Sequence, residues 1–177
     1  MNASGSDSTI VALTTGLKLK KQLSVLVVDD NRVNRKIVMM MLAKLGVPAQ
    51  EAENGQEAVN LHIAGARFDL ILIDMEMPVM DGPQSTDPIR PDAQLEQGIF
   101  RSCYRYFAGG VLQNVHATRI LRSMGVQCKM VGVSGNTRPS EMQEFMEAGV
   151  DEYHVKPMTR PKLICLLQQI DHAAAAA

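Results

Sequence analysis

Three carboxylates, a hydroxyl and an ammonium stand in this 177-residue chain where short apolar runs stop. Asp29 and Asp30 follow Val25–Val28, Asp74 follows Leu70–Ile73, Ser134 follows Met130–Val133, and Lys156 follows Glu152–Val155. Carboxylates brought to about 4 Å repel by about 4 kcal/mol per pair at an effective dielectric near 20. Such a cluster either protonates or takes up a cation. Hard divalent cations prefer oxygen, and Mg²⁺ uses one or two carboxylates together with waters and phosphate oxygens. The expected ligands are Asp30 and Asp74 directly, Asp29 through water, and the backbone carbonyl near Glu76. Phosphoryl transfer needs an aligned nucleophile and positive charge around the phosphoryl oxygens. Asp74 can attack as a carboxylate to give an acyl phosphate. The cation, Lys156 and the Ser134 hydroxyl would each serve one phosphoryl oxygen.

These five residues meet only if the elements carrying them align. Apolar residues spaced four apart over Val33–Leu45 (Val33, Ile37, Met41, Leu45) predict a helix with that inward face, ended by Gly46 and barred from continuing by Pro48. Ala49–Ala52 reads as a short strand. Gln56–Ala64 reads as a helix burying Ala58, Leu61 and Ile63, and Ala117–Met124 as a helix ended by Gly125. Thr137 can cap the next helix, with Pro139 in its first turn, Met142, Phe145 and Met146 inward and Gly149 at its end. The last helix is expected over Arg160–Ile170, with Leu163, Leu166 and Leu167 inward. Five strands alternating with helices imply a parallel sheet covered on both faces. In such sheets ligands sit at the carboxyl ends of the strands, which is where all five polar residues fall.

Bulk composition narrows the function classes. Apolar residues make up 46% of the chain, enough for a core, and the formal net charge is −1, with no basic excess to suit nucleic acid. No apolar run reaches membrane-spanning length. Ser8–Leu17 lacks the basic start and cleavage site of a signal peptide, so the expected compartment is the cytoplasm, or the nucleus. Cys103, Cys128 and Cys165 are odd in number and lack Cys-x-x-Cys spacing, so they read as reduced thiols, with Cys128 and Cys165 in the core. Residues 1–22 read as a mobile tail and 172–177 as a C-terminal tail. No extended heptad is present, and a monomer is the expectation.

The stretches Val25–Asp30, Phe68–Asp74, Met77–Gly82, Val131–Ser134 and Ala148–Pro157 together resemble the receiver domain of two-component response regulators. Leu61–Pro78 and Phe145–Gly149 are similar, more specifically, to plant type-C response regulators. The resemblance implies a flavodoxin-like, doubly wound five-stranded parallel sheet of order 2-1-3-4-5. It implies Asp74 as phosphoacceptor, Asp29 and Asp30 as metal acids, Ser134 as the switch hydroxyl, Lys156 as the phosphate-contacting lysine and Tyr153 as the switch aromatic. The implied cofactor is Mg²⁺. The implied partners are a histidine phosphotransfer protein or histidine kinase in a phosphorelay, with cytokinin signalling as the setting. The chain stops just after its last helix, so no output domain is expected.

The family places a helix directly after the Asp-Gly pair. Here Pro83–Asn114 intervenes within a domain spanning 23–171, opening with Pro83, Pro88 and Pro91 and carrying Phe100, Tyr104, Tyr106 and Phe107. Three readings of this insertion stand open: a disordered excursion, a partner-binding segment, or a lesion that leaves a receiver acting only as a binding module. A reading from another class is a serine hydrolase. Gly132–Gly135 resembles part of a nucleophile elbow, and Ser134, Asp151 and His154 follow in α/β-hydrolase order.

Overall fold

A computed structural model of the chain describes residues 17, 19–75, 114–135 and 138–174. Among these, strands and helices alternate: β1 Val25–Val28, α1 Arg32–Lys44, β2 Ala49–Ala52, α2 Gly55–Ile63, β3 Leu70–Asp74, α3 Asn114–Ser123, β4 Lys129–Ser134, α4 Pro139–Ala148, β5 Glu152–Val155 and α5 Arg160–Ala174. All strand pairings are parallel, and the order is β2-β1-β3-β4-β5, as expected.

The strand residues alternate between two cores, as the twofold pleat requires. Leu26, Val28, Ile71, Ile73 and Met130 face α2, α3 and α4, where Val59, Leu121 and Phe145 meet them. Val25, Val27, Leu70, Leu72, Val131 and Val133 face α1 and α5, against Val38, Leu42, Leu163, Leu166 and Leu167. Burial on both sides explains why β1 and the first four residues of β3 are unbroken apolar runs. Among the described residues, no helix is long and apolar enough to cross a membrane.

Several local expectations shift. The buried stripe of α1 is Arg35, Val38 and Leu42, continued by Leu45, while Val33 and Ile37 are exposed. Spacings of three and four residues follow the 3.6-residue turn better than a strict four, which drifts around the helix. In α2 the buried face is Ala58, Val59 and His62, leaving Leu61 half-buried and Ile63, about 140° around the helix from Ala58, exposed. In α4 Phe145 is buried but Met146 is exposed. That helix is preceded by Arg138 with no side-chain cap; Thr137, expected to cap it, lies outside the described residues. Gly149 ends it with φ 109°. Cys165 is exposed and Cys128 half-buried, so neither belongs to the core proper. Partial burial still pushes the Cys128 thiol up to about 11.

Lys20 and Lys21 are anchored more firmly than the composition of that stretch suggests. The backbone N–H groups of Lys20 and Lys21 donate to the Asp171 carboxylate on α5 at 2.9 Å, and the Lys21 ammonium reaches Asp69 at 2.7 Å. Burial raises the Asp69 pKa, but Lys21 and Ser24 outweigh it and hold the carboxyl below the usual range. The stretch read as an N-terminal tail is therefore pinned from Lys20 on, and α5 runs past Asp171 to Ala174.

Candidate functional site

Register delivers the site. Val28 pairs with Ile73, and Ile73 with Gly132. One step further along the strands stand Asp29, Asp74 and Val133, and the next step brings Asp30, Met75 and Ser134. Ser134 in turn pairs with Val155, the residue before Lys156. All five residues singled out from the sequence thus occupy one carboxyl-end rim of the sheet.

Their surroundings are unlike ordinary surface polar groups. Asp74 is 2% exposed and Asp29 7%, whereas Asp30 is open to solvent. Each offers a carboxylate oxygen, and these oxygens all lie within 4.8 Å of one another. The Lys156 ammonium sits 2.8 Å from Asp74 Oδ2 and 3.7 Å from Asp29 Oδ2. The other oxygen of Asp29 accepts from the Asn31 backbone N–H at 2.8 Å and from Asn34 Nδ2 at 3.4 Å. One Asp29 oxygen is thus fixed by the chain while its partner faces the cluster. Asn31 also caps α1, accepting from the Val33 N–H at 2.9 Å, so the helix start and the orientation of Asp29 are set by the same residue.

An all-oxygen set with one solvent-exposed and two buried carboxylates fits a hard divalent cation that keeps part of its water shell. Among the described residues, the one ammonium of Lys156 faces three carboxylates, an arrangement that favours a further positive charge. The residues present therefore fit Mg²⁺. The expected contribution of the Glu76 carbonyl lies outside the described residues, as does most of the insertion.

Ser134 is 1% exposed at the end of β4, and its carbonyl accepts the Lys156 N–H, so the strand pairing itself sets where the lysine leaves β5. The Lys156–Pro157 peptide is cis. Tyr153 lies on β5 beside Gly132, 38% exposed. A cleft of about 290 Å³ adjoins the acids on the α1 and α5 side, lined by Ile37, Leu72, Val133, Pro157 and Met158 beside Asp29, Asp74 and Lys156.

The hydrolase constellation does not assemble. The Asp151 carboxylate accepts from the Met130 N–H at 2.7 Å and pairs with Arg122 at 2.8 Å, near the start of β4. Ser134 is at the other end of that strand, about 13 Å away at roughly 3.3 Å per residue. His154 is turned to Glu152, at 3.4 Å.

Four contributors escaped sequence reasoning. Arg35 is a charged residue on the buried stripe of α1, and its place in that register was the available signal. Asn31 and Asn34 are the two asparagines that donate to Asp29. Asn114 fell within the insertion as bounded from sequence, yet it opens α3, is buried, and donates from Nδ2 to the Asp74 carbonyl at 2.6 Å. No sequence pattern marked it.

Comparison with known proteins places this arrangement. The family model described as the response regulator receiver domain matches residues 25–100. Two-component response regulator 24 of Arabidopsis thaliana is 33% identical over 86% of this chain and 86% of its own length. Two-component response regulator ORR41 of Oryza sativa subsp. japonica is 32% identical over 84% of this chain and 94% of its own. Among solved structures, the receiver domain of a Pseudomonas aeruginosa PAO1 sensor histidine kinase, with a magnesium ion coordinated in its active site cleft, superposes with a TM-score of 0.61. It has 23% identity and covers 86% of this chain and 99% of that one.

Proposed function

Because the chain belongs to the response regulator receiver family, we propose that Asp74 is its phosphoacceptor and takes a phosphoryl group from a phosphohistidine protein in a phosphorelay. The observation that carries this reading is the buried Asp74 carboxylate held between two further carboxylates and the Lys156 ammonium, 2.8 Å away. An Asp74 oxygen attacks phosphorus, the O–P bond forms as the P–N bond breaks, and the electron pair leaves on the imidazole nitrogen. Asp29, Asp30 and Asp74 would hold Mg²⁺, which supplies charge neutralisation for the phosphoryl oxygens when bound. Lys156, already beside Asp74, exchanges its carboxylate contact for a phosphoryl oxygen as the new dianion forms. The Ser134 hydroxyl is assigned a further phosphoryl oxygen. Tyr153, exposed on β5, is assigned the aromatic rearrangement that follows. Burial keeps water from competing with the incoming donor.

The test is transfer of radiolabelled phosphate from a phosphorylated histidine phosphotransfer protein in the presence of Mg²⁺. Label should appear on the wild type and be absent both from Asp74→Asn and after chelation. Equal labelling of Asp74→Asn would overturn the assignment.

A further inference from the structure

We infer that Arg35 is a positioning residue for the cation cradle: its guanidinium grips the backbone of both adjacent acids, Asp29 and Asp30, and so fixes where their carboxylates start. This rests on the reading of Asp29, Asp30 and Asp74 as the Mg²⁺ site.

Arg35 is 3% exposed on the inward stripe of α1. Its Nη1 donates to the Asp29 carbonyl at 2.8 Å and to the Asp30 carbonyl at 3.2 Å. Its Nη2 donates to Glu53 Oε1 at 2.7 Å, and its Nε lies 3.4 Å from Glu51 Oε2. One rigid fork therefore ties the turn after β1 to the end of β2. The outer anchor is itself held, because the Glu53 N–H donates to Glu57 in the first turn of α2 at 2.8 Å. The Asp29 N–H completes the frame by donating to the Ala52 carbonyl at 3.2 Å.

The turn needs such a frame. Without a cation the clustered carboxylates repel, and a free turn would relieve that repulsion by opening. An arginine that only compensated the acids by its charge would point at their carboxylates. This one binds their carbonyls, and two glutamates pair with its charge. Its contribution is therefore geometric. Lysine, with the same charge but a single donor point, cannot reproduce the fork.

That difference gives the test. Mg²⁺ affinity of the full chain is measured by calorimetry for the wild type, Arg35→Lys and Glu53→Gln, with Asp30→Asn as control, alongside thermal unfolding in chelator and in saturating Mg²⁺. Loss of a residue that orients metal ligands typically weakens metal binding by about 10–100-fold. Arg35→Lys should lose at least the lower figure, and the rise in Tm produced by Mg²⁺ should shrink with it. A merely structural arginine would lower Tm equally with and without Mg²⁺ and leave the affinity alone. Glu53→Gln changes only an exposed side chain and keeps the fold, so it serves if Arg35→Lys does not fold; weakened Mg²⁺ binding is expected there too. Wild-type affinity in the folded variants overturns the positioning role while leaving the cradle intact. A wild type that binds no Mg²⁺, or an Asp30→Asn protein that binds it equally well, overturns the cradle and the positioning role together.

Discussion

Lys156 stands where two opposing demands meet. In the free protein it neutralises Asp74 at 2.8 Å and Asp29 at 3.7 Å, occupying ground that a divalent cation would also favour. Removing it should therefore move two observables in opposite directions. Lys156→Met is expected to bind Mg²⁺ more tightly, by roughly tenfold, the modest end of what one nearby charge delivers, while accepting phosphate at least about tenfold more slowly for want of a cation on the developing dianion. Calorimetry and a phosphotransfer time course read the two effects separately. His62 gives a second residue-scale prediction. It is 3% exposed, its Nδ1 is 2.9 Å from the Ala58 carbonyl, and its ring packs on Phe68. Burial, reinforced by Arg67 and partly offset by the Ala58 contact, lowers its pKa below the ordinary imidazole value of 6.5. The unfolded chain then binds the proton more readily, so the stability held by neutral His62 is full above pH 6.5 and is lost as pH falls through the lower folded value. Urea unfolding from pH 7.5 to 5.5 should show this loss, and His62→Phe should reduce it.

At the scale of elements, stability is concentrated in the helices that cover the sheet. Leu163, Leu166 and Leu167 of α5 are all at most 1% exposed against β1, β3 and β4. Leu163→Ala should cost about 2–5 kcal/mol, from lost transfer energy and the cavity left behind. Chemical denaturation measures that cost, and the folded fraction should still accept phosphate, since Leu163 belongs to the buried core and not to the lining of the cleft beside the acids. α1 is different in kind: its N-cap orients Asp29 and its second and third turns supply Val38 and Leu42 to the core, so one helix serves both the site and the packing. The end of α4 shows a further constraint. A side-chain carbon added at Gly149 would lie 2.7 Å from Arg122, which itself donates to the Gly149 carbonyl.

For the molecule as a whole, the insertion poses the main question. The chain leaves β3 at Met75 and re-enters at Asn114, whose side chain is within 2.6 Å of the Asp74 carbonyl. Exit and return are thus joined beside Asp74. Loop length enters the folding free energy only logarithmically, at about 0.6 kcal/mol per doubling. Deleting residues 83–113, while keeping Asn114, should therefore preserve phosphate acceptance and raise Tm slightly. A deletion that folds, shown by circular dichroism, yet takes no label would make the segment part of the reaction. The sequence boundary at Asn114 was one residue too late, and a deletion that also removed this residue would strip the Asp74 carbonyl of its donor.

The parallel sheet with its two covered faces and the five rim residues were legible in the chain because they depend on local patterning, whereas the strand order was implied only by the family resemblance. Buried parallel strands must be apolar runs, and the polar residues that interrupt them must fall at strand ends. Periodicity also located the helices, although it misplaced part of the faces of α1, where a fixed spacing of four departs from the true turn, and of α2, where Ile63 lies off the face that Ala58 shares. What local pattern could not show were partnerships made through space. Arg35 looks like any charged helix residue until the fold sets its fork against two carbonyls and the end of β2. Asn114 carries no signal until α3 docks under Asp74, and Lys20 and Lys21 read as tail until α5 presents Asp171. Hydrogen bonds between distant residues leave no period in the sequence. The chain itself therefore determined which groups reach the rim, and only the packed structure decided what holds them in position.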